Sequence, residues 1–191
     1  MITKKIAVLF SGSGTNLENL FLKIHNKTFN GVKLEITLTL CNKKNAPGIA
    51  KSRRYGIEPV ILEHSEYPER ADFDKKLVEI IKAHEVDLCV LAGFMRILTP
   101  HFTKNVKAVN IHPSLLPLFK GADAVKKSYE SGAKEAGASV HFVNEELDGG
   151  EIILQKGFKR TWDMSYEEYE ANIHKIEYEI LPQAIVKVLT Q

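Results

Sequence analysis

KIAVLFSGSGTNLENLFLKI (residues 5–24) is the stretch of this sequence that decides the fold. Residues 5–10 form an apolar run typical of a buried strand, and Gly12 and Gly14 mark the loop that follows. Apolar residues then recur with the i, i+3, i+4, i+7 spacing of one buried helix face over residues 17–24. A strand, a glycine loop and a helix in this order predict the first unit of an open α/β sheet.

The same alternation of strands and helices continues along the chain. Further predicted strands are VKLEITLTLC (32–41), EPVIL (58–62), DLCVLAG (87–93) and KAVNIH (107–112). Two later strands, ASVHFV (138–143) and IILQKGFKR (152–160), are separated only by a short loop, which favours antiparallel pairing. A closing helix is predicted near 165–189, kinked or split at Pro182. We therefore predict an α/β fold with a Rossmann-like, mainly parallel sheet, helices on both faces and antiparallel C-terminal strands.

Composition restricts the classes of function. A length of 191 residues suits one domain, and a net charge of +2 with scattered Lys and Arg argues against a nucleic-acid-binding face. No apolar run reaches the roughly 20 residues that a membrane helix needs. Cys41 and Cys89 lie in apolar runs, where buried thiols are expected more than a disulfide or a metal pair. We expect a cytoplasmic protein, monomer or homodimer, that binds small molecules and no metal, nucleic acid or membrane.

The glycine loop predicts a phosphate site. Gly12 and Gly14 let backbone N–H groups approach an anion at the N-terminus of the first helix. A dinucleotide fingerprint needs a third glycine where Leu17 stands, and a triphosphate loop needs a Gly-Lys-Ser/Thr ending. A phosphate monoester site remains. The alternative is a plain glycine turn in which Thr15 or Asn16 caps the helix.

Two polar side chains close the strand 107–112. Asn110 and His112 are two residues apart, so they share one face at the end of the strand where ligands bind in open α/β sheets. Asp148, in the turn ELDGG, is a third candidate, because a nearby carboxylate favours the imidazolium form. With no obvious Ser or Cys nucleophile, these donors fit direct acyl transfer through a tetrahedral intermediate. The alternatives are a structural histidine and an aspartate that caps its own turn.

Four motifs together carry a family resemblance: SGSGTNL (11–17), LAGFMRIL (91–98), NIHPSLLP (110–117) and SVHFVNEELDGGEIILQ (139–155). They resemble the phosphoribosylglycinamide formyltransferase family over essentially the whole chain. The resemblance implies the formyltransferase fold, with a phosphate-binding half (1–106) and a catalytic and folate-binding half (107–191) in one domain (1–191). It implies transfer of a formyl group from the co-substrate 10-formyltetrahydrofolate to the amine of 5′-phosphoribosylglycinamide in de novo purine biosynthesis.

The resemblance also implies roles for individual residues. The catalytic positions are Asn110, His112 and Asp148, with His112 as general acid. The ribonucleotide positions are Gly14, Thr15 and Asn16 for the phosphate, with His174 and Glu177. The folate positions are Arg70, Met95, Arg96, Ile97, Leu98, Asn144, Glu145, Glu146 and Leu147. For the MRIL segment (95–98) the alternative is ordinary core packing, and two positions depart from the family pattern, Asp123 and Tyr178, where a histidine is common.

Other functions with the same motifs stay open. A formyltetrahydrofolate deformylase and the catalytic domain of a methionyl-tRNA formyltransferase share the formyl chemistry, but both are expected to carry an extra domain. A non-catalytic phosphosugar-binding or folate-binding module would use the glycine loop or the MRIL segment. Such a module would not need Asn110, His112 and Asp148 together.

Overall fold

One mixed sheet runs through the chain. The computed structural model describes residues 2–191, and in that range it has an eight-stranded sheet and six α-helices. The strands are β1 (Ile2–Phe10), β2 (Lys27–Phe29), β3 (Val32–Cys41), β4 (Val60–Ile61), β5 (Leu88–Leu91), β6 (Ala108–His112), β7 (Glu135–Phe142) and β8 (Ile152–Lys159). The helices are α1 (Thr15–Lys23), α2 (Gly48–Arg54), α3 (Arg70–Ala83), α4 (Pro100–Asn105), α5 (Ala124–Glu130) and α6 (Tyr166–Thr190).

The strand order confirms the predicted sheet. It reads β2-β3-β1-β5-β6-β7-β8, with β4 beside the carboxyl end of β3. Four pairs of neighbouring strands are parallel: β4 with β3, β3 with β1, β1 with β5, and β5 with β6. β7 and β8 are antiparallel additions. The predicted strand 58–62 is reduced to β4, since Pro59 has no N–H to donate to a ladder. The antiparallel β2 was not predicted, because three residues are too few to show a period.

Alternating side chains of β1 are buried on both faces of the sheet. Ile6 and Val8 belong to an apolar cluster that includes residues of α1 and α6, whereas Ala7 and Leu9 belong to a second cluster with residues of α3 and α4. Burial of one such aliphatic side chain stabilises the fold by about 1.5–3 kcal/mol. Helices therefore cover both faces of the sheet. Ligands are expected to bind beyond the carboxyl ends of the parallel strands.

The order of the strands reverses at β1. The chain continues from β1 to β3 on one side and returns to β5 on the other, so the loops after β1 and β5 leave in opposite directions. These loops still touch, because Ser11 N donates to Gly93 O over 3.0 Å. Such a switch point is where open α/β sheets bind ligands. The neighbouring β6 brings its own carboxyl end to the same edge.

The long C-terminal helix corrects one expectation. α6 is a single helix of 25 residues that contains Pro182, so of the two predicted outcomes, a kink or a split, the split is wrong. A proline removes the N–H that would bond the carbonyl four residues earlier, here that of Tyr178. Asn19 Nδ2 of α1 donates to Tyr178 O over 2.8 Å and so satisfies that carbonyl from outside the helix. No helix within residues 2–191, including α6, combines the length and apolarity needed to cross a membrane.

The two cysteines are buried and unpaired, as predicted. Cys41 ends β3 and Cys89 lies in β5, and both are free thiols. Burial raises the pKa of both thiols, because the thiolate loses its hydration there. These residues therefore act as small apolar side chains of the core.

Candidate active site

Four polar side chains share one face of β6 and β7. Asn110 and His112 lie on the same side of β6, while Ile111 between them enters the apolar core. β7 runs antiparallel to β6 and pairs His141 with Asn110 and Ser139 with His112. Asn110 Nδ2 lies 3.2 Å from His141 Nε2. Because directly opposed residues project to the same face, the sheet itself gathers these groups.

Asp148 meets three of these side chains from the loop between β7 and β8. Its Oδ2 lies 3.4 Å from His112 Nδ1, and its Oδ1 lies 3.4 Å from Asn110 Nδ2 and 3.5 Å from His141 Nε2. Oδ2 also accepts the N–H of Gly121 over 2.8 Å. The structure thus brings together the predicted trio. The Asp148 carboxylate accepts a hydrogen bond from a different loop of the chain, whereas the structural alternative expected it to cap its own turn.

The glycines after Asp148 let its loop fold tightly onto β7. Asp148 has a φ of 50°, a left-handed conformation that aspartate tolerates better than most residues. A Cβ on Gly150 would lie 1.7 Å from Phe142 O, and one on Gly149 would lie 2.4 Å from the Glu146 carboxyl carbon. Any larger residue at Gly150 would therefore push the loop, and the carboxylate with it, away from β6.

The surroundings of His112 suit an imidazolium. Its Nε2 lies 2.9 Å from Phe119 O, and a carbonyl can only accept, so Nε2 carries a hydrogen. Its Nδ1 faces the Asp148 carboxylate, which is also an acceptor. With an acceptor at each nitrogen, only the doubly protonated ring makes two favourable contacts. A buried imidazolium at this place can donate both a hydrogen bond and a proton.

His141 is oriented by its own backbone. Its Nδ1 lies 2.8 Å from Phe142 O, so that nitrogen carries the hydrogen. In the neutral ring Nε2 accepts from Asn110, and in the charged ring Nε2 donates to Asp148. His141 therefore links the amide and the carboxylate of the candidate site.

The Asp148 carboxylate stays charged although it is buried. Burial would raise its pKa, but hydrogen bonds from His141 and the Gly121 amide, together with attraction from His112, lower that pKa below its ordinary value. The carboxylate is thus an anion held between two histidines. Within residues 2–191, no group of three or more His, Cys, Asp or Glu side chains is arranged to hold a metal ion.

The turn that carries Phe119 O over His112 is fixed from β7 and β8. Ser139 Oγ donates to Ser114 O over 2.6 Å and accepts from Leu116 N over 3.1 Å. Gln155 Nε2 donates to Leu116 O and to Ser139 Oγ. The peptide bond between Leu116 and the following proline is cis. The antiparallel strands thus shape the exit from β6.

Sequence reasoning missed His141, Ser139 and Gln155. One signal was available, since Ser139 and His141 are two residues apart in SVHFV (139–143), the same spacing as the polar pair in β6. Placing them opposite β6 requires the antiparallel register, which the sequence pattern alone does not supply.

The glycine loop ends at the N-terminus of α1. Gly14 is the residue before the helix, with a φ of 66° and no side-chain cap, so the alternative in which Thr15 or Asn16 caps the helix is wrong. A Cβ on Gly14 would lie 2.7 Å from Gly48 Cα, so a side chain cannot fit there. The first N–H groups of a helix have no intrahelical partner and point toward the loop. This is a suitable place for an anion.

α6 faces this loop with a buried carboxylate. Asn16 Nδ2 lies 3.4 Å from Glu177 Oε2, and Asn16 Oδ1 is buried without a hydrogen-bond partner among the described residues. His174 Nδ1 lies 2.9 Å from the same Glu177 oxygen, and its ring stacks on Tyr178. The hydrogen bond to Glu177 raises the pKa of His174, although partial burial opposes this. The predicted phosphate and ribonucleotide positions therefore lie side by side.

The segment after β5 projects apolar side chains outward. Met95 is 72% exposed and Ile97 49%, whereas Leu98 is partly buried against the core, so core packing accounts for Leu98 but not for Met95 and Ile97. Arg96 lies over the Phe73 ring, with 4.0 Å between its Cζ and the ring centroid. Exposed apolar side chains on a fixed backbone are what a flat ligand needs for a wall.

Arg70 begins α3 beside this segment. Burial lowers the pKa of Arg96, the Asp74 carboxylate opposes that effect, and the Arg70 cation adds to it. Arg70 itself is exposed.

The loop before Asp148 is held by ion pairs. Asn144 Oδ1 accepts from Glu146 N over 2.9 Å, and Glu146 pairs with Lys120 over 2.7 Å. Glu145 pairs with Lys104 of α4 over 3.2 Å, and Leu147 is exposed. Residues 144–147, the second predicted folate segment, are thus linked by ion pairs to the turn after β6 and to α4.

Comparison with known proteins agrees with this arrangement. The family model described as formyl transferase matches residues 4–185. A phosphoribosylglycinamide formyltransferase of Haemophilus influenzae is 39% identical over 184 residues, which cover 95% of this chain and 85% of the relative. One of Bacillus subtilis is 35% identical over 188 residues, which cover 97% and 95%.

Solved structures point to the same family. The crystal structure of the phosphoribosylglycinamide formyltransferase from Campylobacter jejuni matches with a TM-score of 0.96 and 55% identity, and the match covers 98% of each chain. These similarities confirm the resemblance and the fold that the sequence predicts. This chain therefore belongs to the formyl transferase family.

Proposed function

We propose that this chain transfers a formyl group from 10-formyltetrahydrofolate to the amine of 5′-phosphoribosylglycinamide, a step of de novo purine biosynthesis. The family match and the names of its relatives support this reaction. The observation that carries it is the meeting of Asn110, His112 and Asp148, with contacts of 3.4 Å to the carboxylate. An amide and a protonated imidazole can both donate to a carbonyl oxygen that becomes anionic, and the carboxylate can hold the imidazole in place.

Asn110 and His112 act on the formyl oxygen. The substrate amine attacks the formyl carbon directly, and both side chains donate to the oxygen as it gains negative charge. The tetrahedral adduct then collapses, the bond between the formyl carbon and the folate nitrogen breaks, and the proton that the amine loses balances the one that the departing folate nitrogen gains. Removal of one such donor typically costs about 3–4 kcal/mol of barrier. Because Nε2 of His112 carries a hydrogen and points to Phe119 O, the formyl oxygen replaces that carbonyl as the acceptor.

Asp148 supports the charge of His112. Its carboxylate faces Nδ1 and fixes the ring plane, so that the protonated ring of His112 serves as general acid. His141 shares the other carboxylate oxygen and receives Asn110, which keeps the amide beside the imidazole. No Ser or Cys is needed as a nucleophile in this route.

The substrates bind on either side of this trio. The ribonucleotide phosphate binds at Gly14, Thr15 and Asn16, and His174 and Glu177 hold the rest of that substrate. The folate lies against residues 95–98 and 144–147, with Arg70 reaching an anionic part of it. In one domain, residues 1–106 thus supply the phosphate loop and one wall of the folate site, and residues 107–191 supply the catalytic trio, the other folate segment and the remaining ribonucleotide contacts. Asn16 and Glu177 connect the two halves.

We further propose that the protein acts on small molecules only, in the cytoplasm, as a monomer or a homodimer. Two buried free thiols suit a reducing compartment. A net charge of +2 offers no concentrated field for a nucleic acid.

The test is a formyl-transfer assay with two acceptors. Purified protein is incubated with 10-formyltetrahydrofolate, with and without the ribonucleotide, and both tetrahydrofolate and formylated product are measured. We expect product only with the ribonucleotide. Tetrahydrofolate and formate released at the same rate without it would indicate a deformylase. Binding of both ligands without turnover would indicate a non-catalytic module.

A further inference from the structure

The segment between β5 and α4 is fastened at both ends by buried polar side chains. At its start, Ser11 N donates to Gly93 O and Ser11 Oγ accepts from Met95 N over 2.7 Å. At its end, Thr99 N donates to Asp74 Oδ2 over 2.5 Å. The exposed apolar side chains that the proposed function assigns to folate lie between these two fixed points.

Asp74 stands out on its own helix. The buried face of α3 is otherwise apolar, with Phe73, Leu77, Val78 and Ile81, and Asp74 is fully buried among them. A charged carboxylate is costly to bury when hydrogen bonds or an opposite charge do not fully compensate it. Such a residue needs a reason beyond the packing of α3.

Within the described residues, the hydrogen bond that compensates Asp74 comes from the segment it fastens. Asp74 Oδ2 accepts from Thr99 N, whereas Oδ1 has no hydrogen-bond partner among the described residues. Arg96 Nε and Thr99 Oγ1, on the same segment, are also buried without a partner in the described part of the chain. Arg96 is attracted by the Asp74 charge and lies over the ring of Phe73, the residue before Asp74.

We propose that Asp74 is a positioning residue for the folate co-substrate. By holding Thr99 N and drawing Arg96 onto Phe73, it fixes the backbone from which Met95, Ile97 and Leu98 project. The inference rests on the proposed function, because it assumes that residues 95–98 form a wall of the folate site. Asp74 does not touch the substrates. It acts through the segment, so its loss affects folate binding and leaves the ribonucleotide site unchanged.

The experiment measures two affinities separately. Isothermal titration calorimetry gives the Kd of tetrahydrofolate and the Kd of 5′-phosphoribosylglycinamide for the wild type, Asp74→Ala and Asp74→Asn. For Asp74→Ala, which loses the acceptor and the charge, we expect the folate Kd to rise about 10-fold or more. For Asp74→Asn, which keeps an acceptor for Thr99 N, we expect a rise of about 3- to 5-fold. The ribonucleotide Kd stays within about twofold in both.

Asp72→Asn is the matched control. Asp72 lies on the same helix, is exposed and pairs only with Lys75 over 3.0 Å in the described structure. We expect both affinities of this variant to be those of the wild type. Thermal unfolding of each variant shows whether it folds, and Asp74→Asn remains the deciding variant where Asp74→Ala does not fold.

Two results would overturn the positioning role. One is a wild-type folate Kd in Asp74→Asn or Asp74→Ala. The other is an equal loss of both affinities, which would indicate general damage to the fold. Met95→Ala separates this from the proposed function, since it removes a proposed folate contact directly. A wild-type folate Kd in Met95→Ala refutes the assignment of residues 95–98 to the folate site, and the positioning role of Asp74 with it. A raised folate Kd in Met95→Ala, together with wild-type folate Kd values in the Asp74 variants, refutes only the role of Asp74.

Discussion

At the end of β6 the candidate reacting groups are side chains held by other side chains, whereas at the end of β1 the candidate anion-binding groups are backbone amides held by glycines. Asn110 and His112 each contact Asp148. Gly14 instead gives the first loop its shape through a φ of 66° and its contact with Gly48. The comparison suggests that the first region governs turnover and the second governs affinity.

The largest effect is expected for His112→Ala. Loss of the general acid and oxyanion donor should lower kcat by at least about 10²-fold and leave the ribonucleotide KM nearly unchanged. Steady-state kinetics with both substrates measures this, and His84→Ala, an exposed histidine at the end of α3, is the control. Unchanged turnover in His112→Ala would remove the end of β6 from the mechanism.

Asp148→Asn sharpens the same region. Without the carboxylate the charged form of His112 loses its partner, so kcat should fall about 10- to 100-fold and the pH–rate profile should shift its midpoint. The profile is recorded for wild type and variant at the same substrate saturation. A profile that only scales, with its midpoint unmoved, would mean that Asp148 acts by geometry alone.

Gly14→Ala tests the other region. A Cβ would contact Gly48 Cα at 2.7 Å, and alanine disfavours a φ of 66°, so the free energy of unfolding should fall by about 1–3 kcal/mol. The ribonucleotide affinity should fall more than kcat. Gly12→Ala is the control for stability, because nothing lies within 4 Å of its added Cβ. If the Gly14→Ala and Gly12→Ala variants unfolded at the same temperature, the claim that Gly14 gives this loop its shape would be wrong.

His174→Gln should have the smallest effect and one that depends on pH. Because Glu177 raises the pKa of His174, the pair stabilises the fold while His174 is protonated, fully at pH below its unfolded value of about 6.5. That contribution disappears as the pH rises through the raised pKa. The difference in unfolding free energy between wild type and variant should be at most about 1 kcal/mol at low pH, since His174 is partly exposed. Denaturant titrations at two pH values check this. A difference in unfolding free energy between wild type and variant that grows with pH would contradict the stabilising pair of His174 and Glu177.

Local patterns predicted the elements and the trio because each depends on few residues. The two-residue spacing of Asn110 and His112 placed both on one face, and the glycines after Asp148 indicated a turn that could reach them. The rest required contacts across the fold. His141 depends on the register of β7 against β6, and the continuity of α6 through Pro182 depends on Asn19 of α1. Propensity alone cannot supply a donor from a distant helix.

The central claim is that Asn110 and His112 receive the formyl oxygen while Asp148 holds the imidazole. The most direct measurement is a crystal structure of the protein with a formyl-folate analogue and the ribonucleotide. We expect the formyl oxygen at about 3 Å from both Asn110 Nδ2 and His112 Nε2, with Phe119 O displaced from the ring. A formyl oxygen that faces solvent or the 144–147 loop, while His112 Nε2 keeps its contact with Phe119 O, would contradict the account.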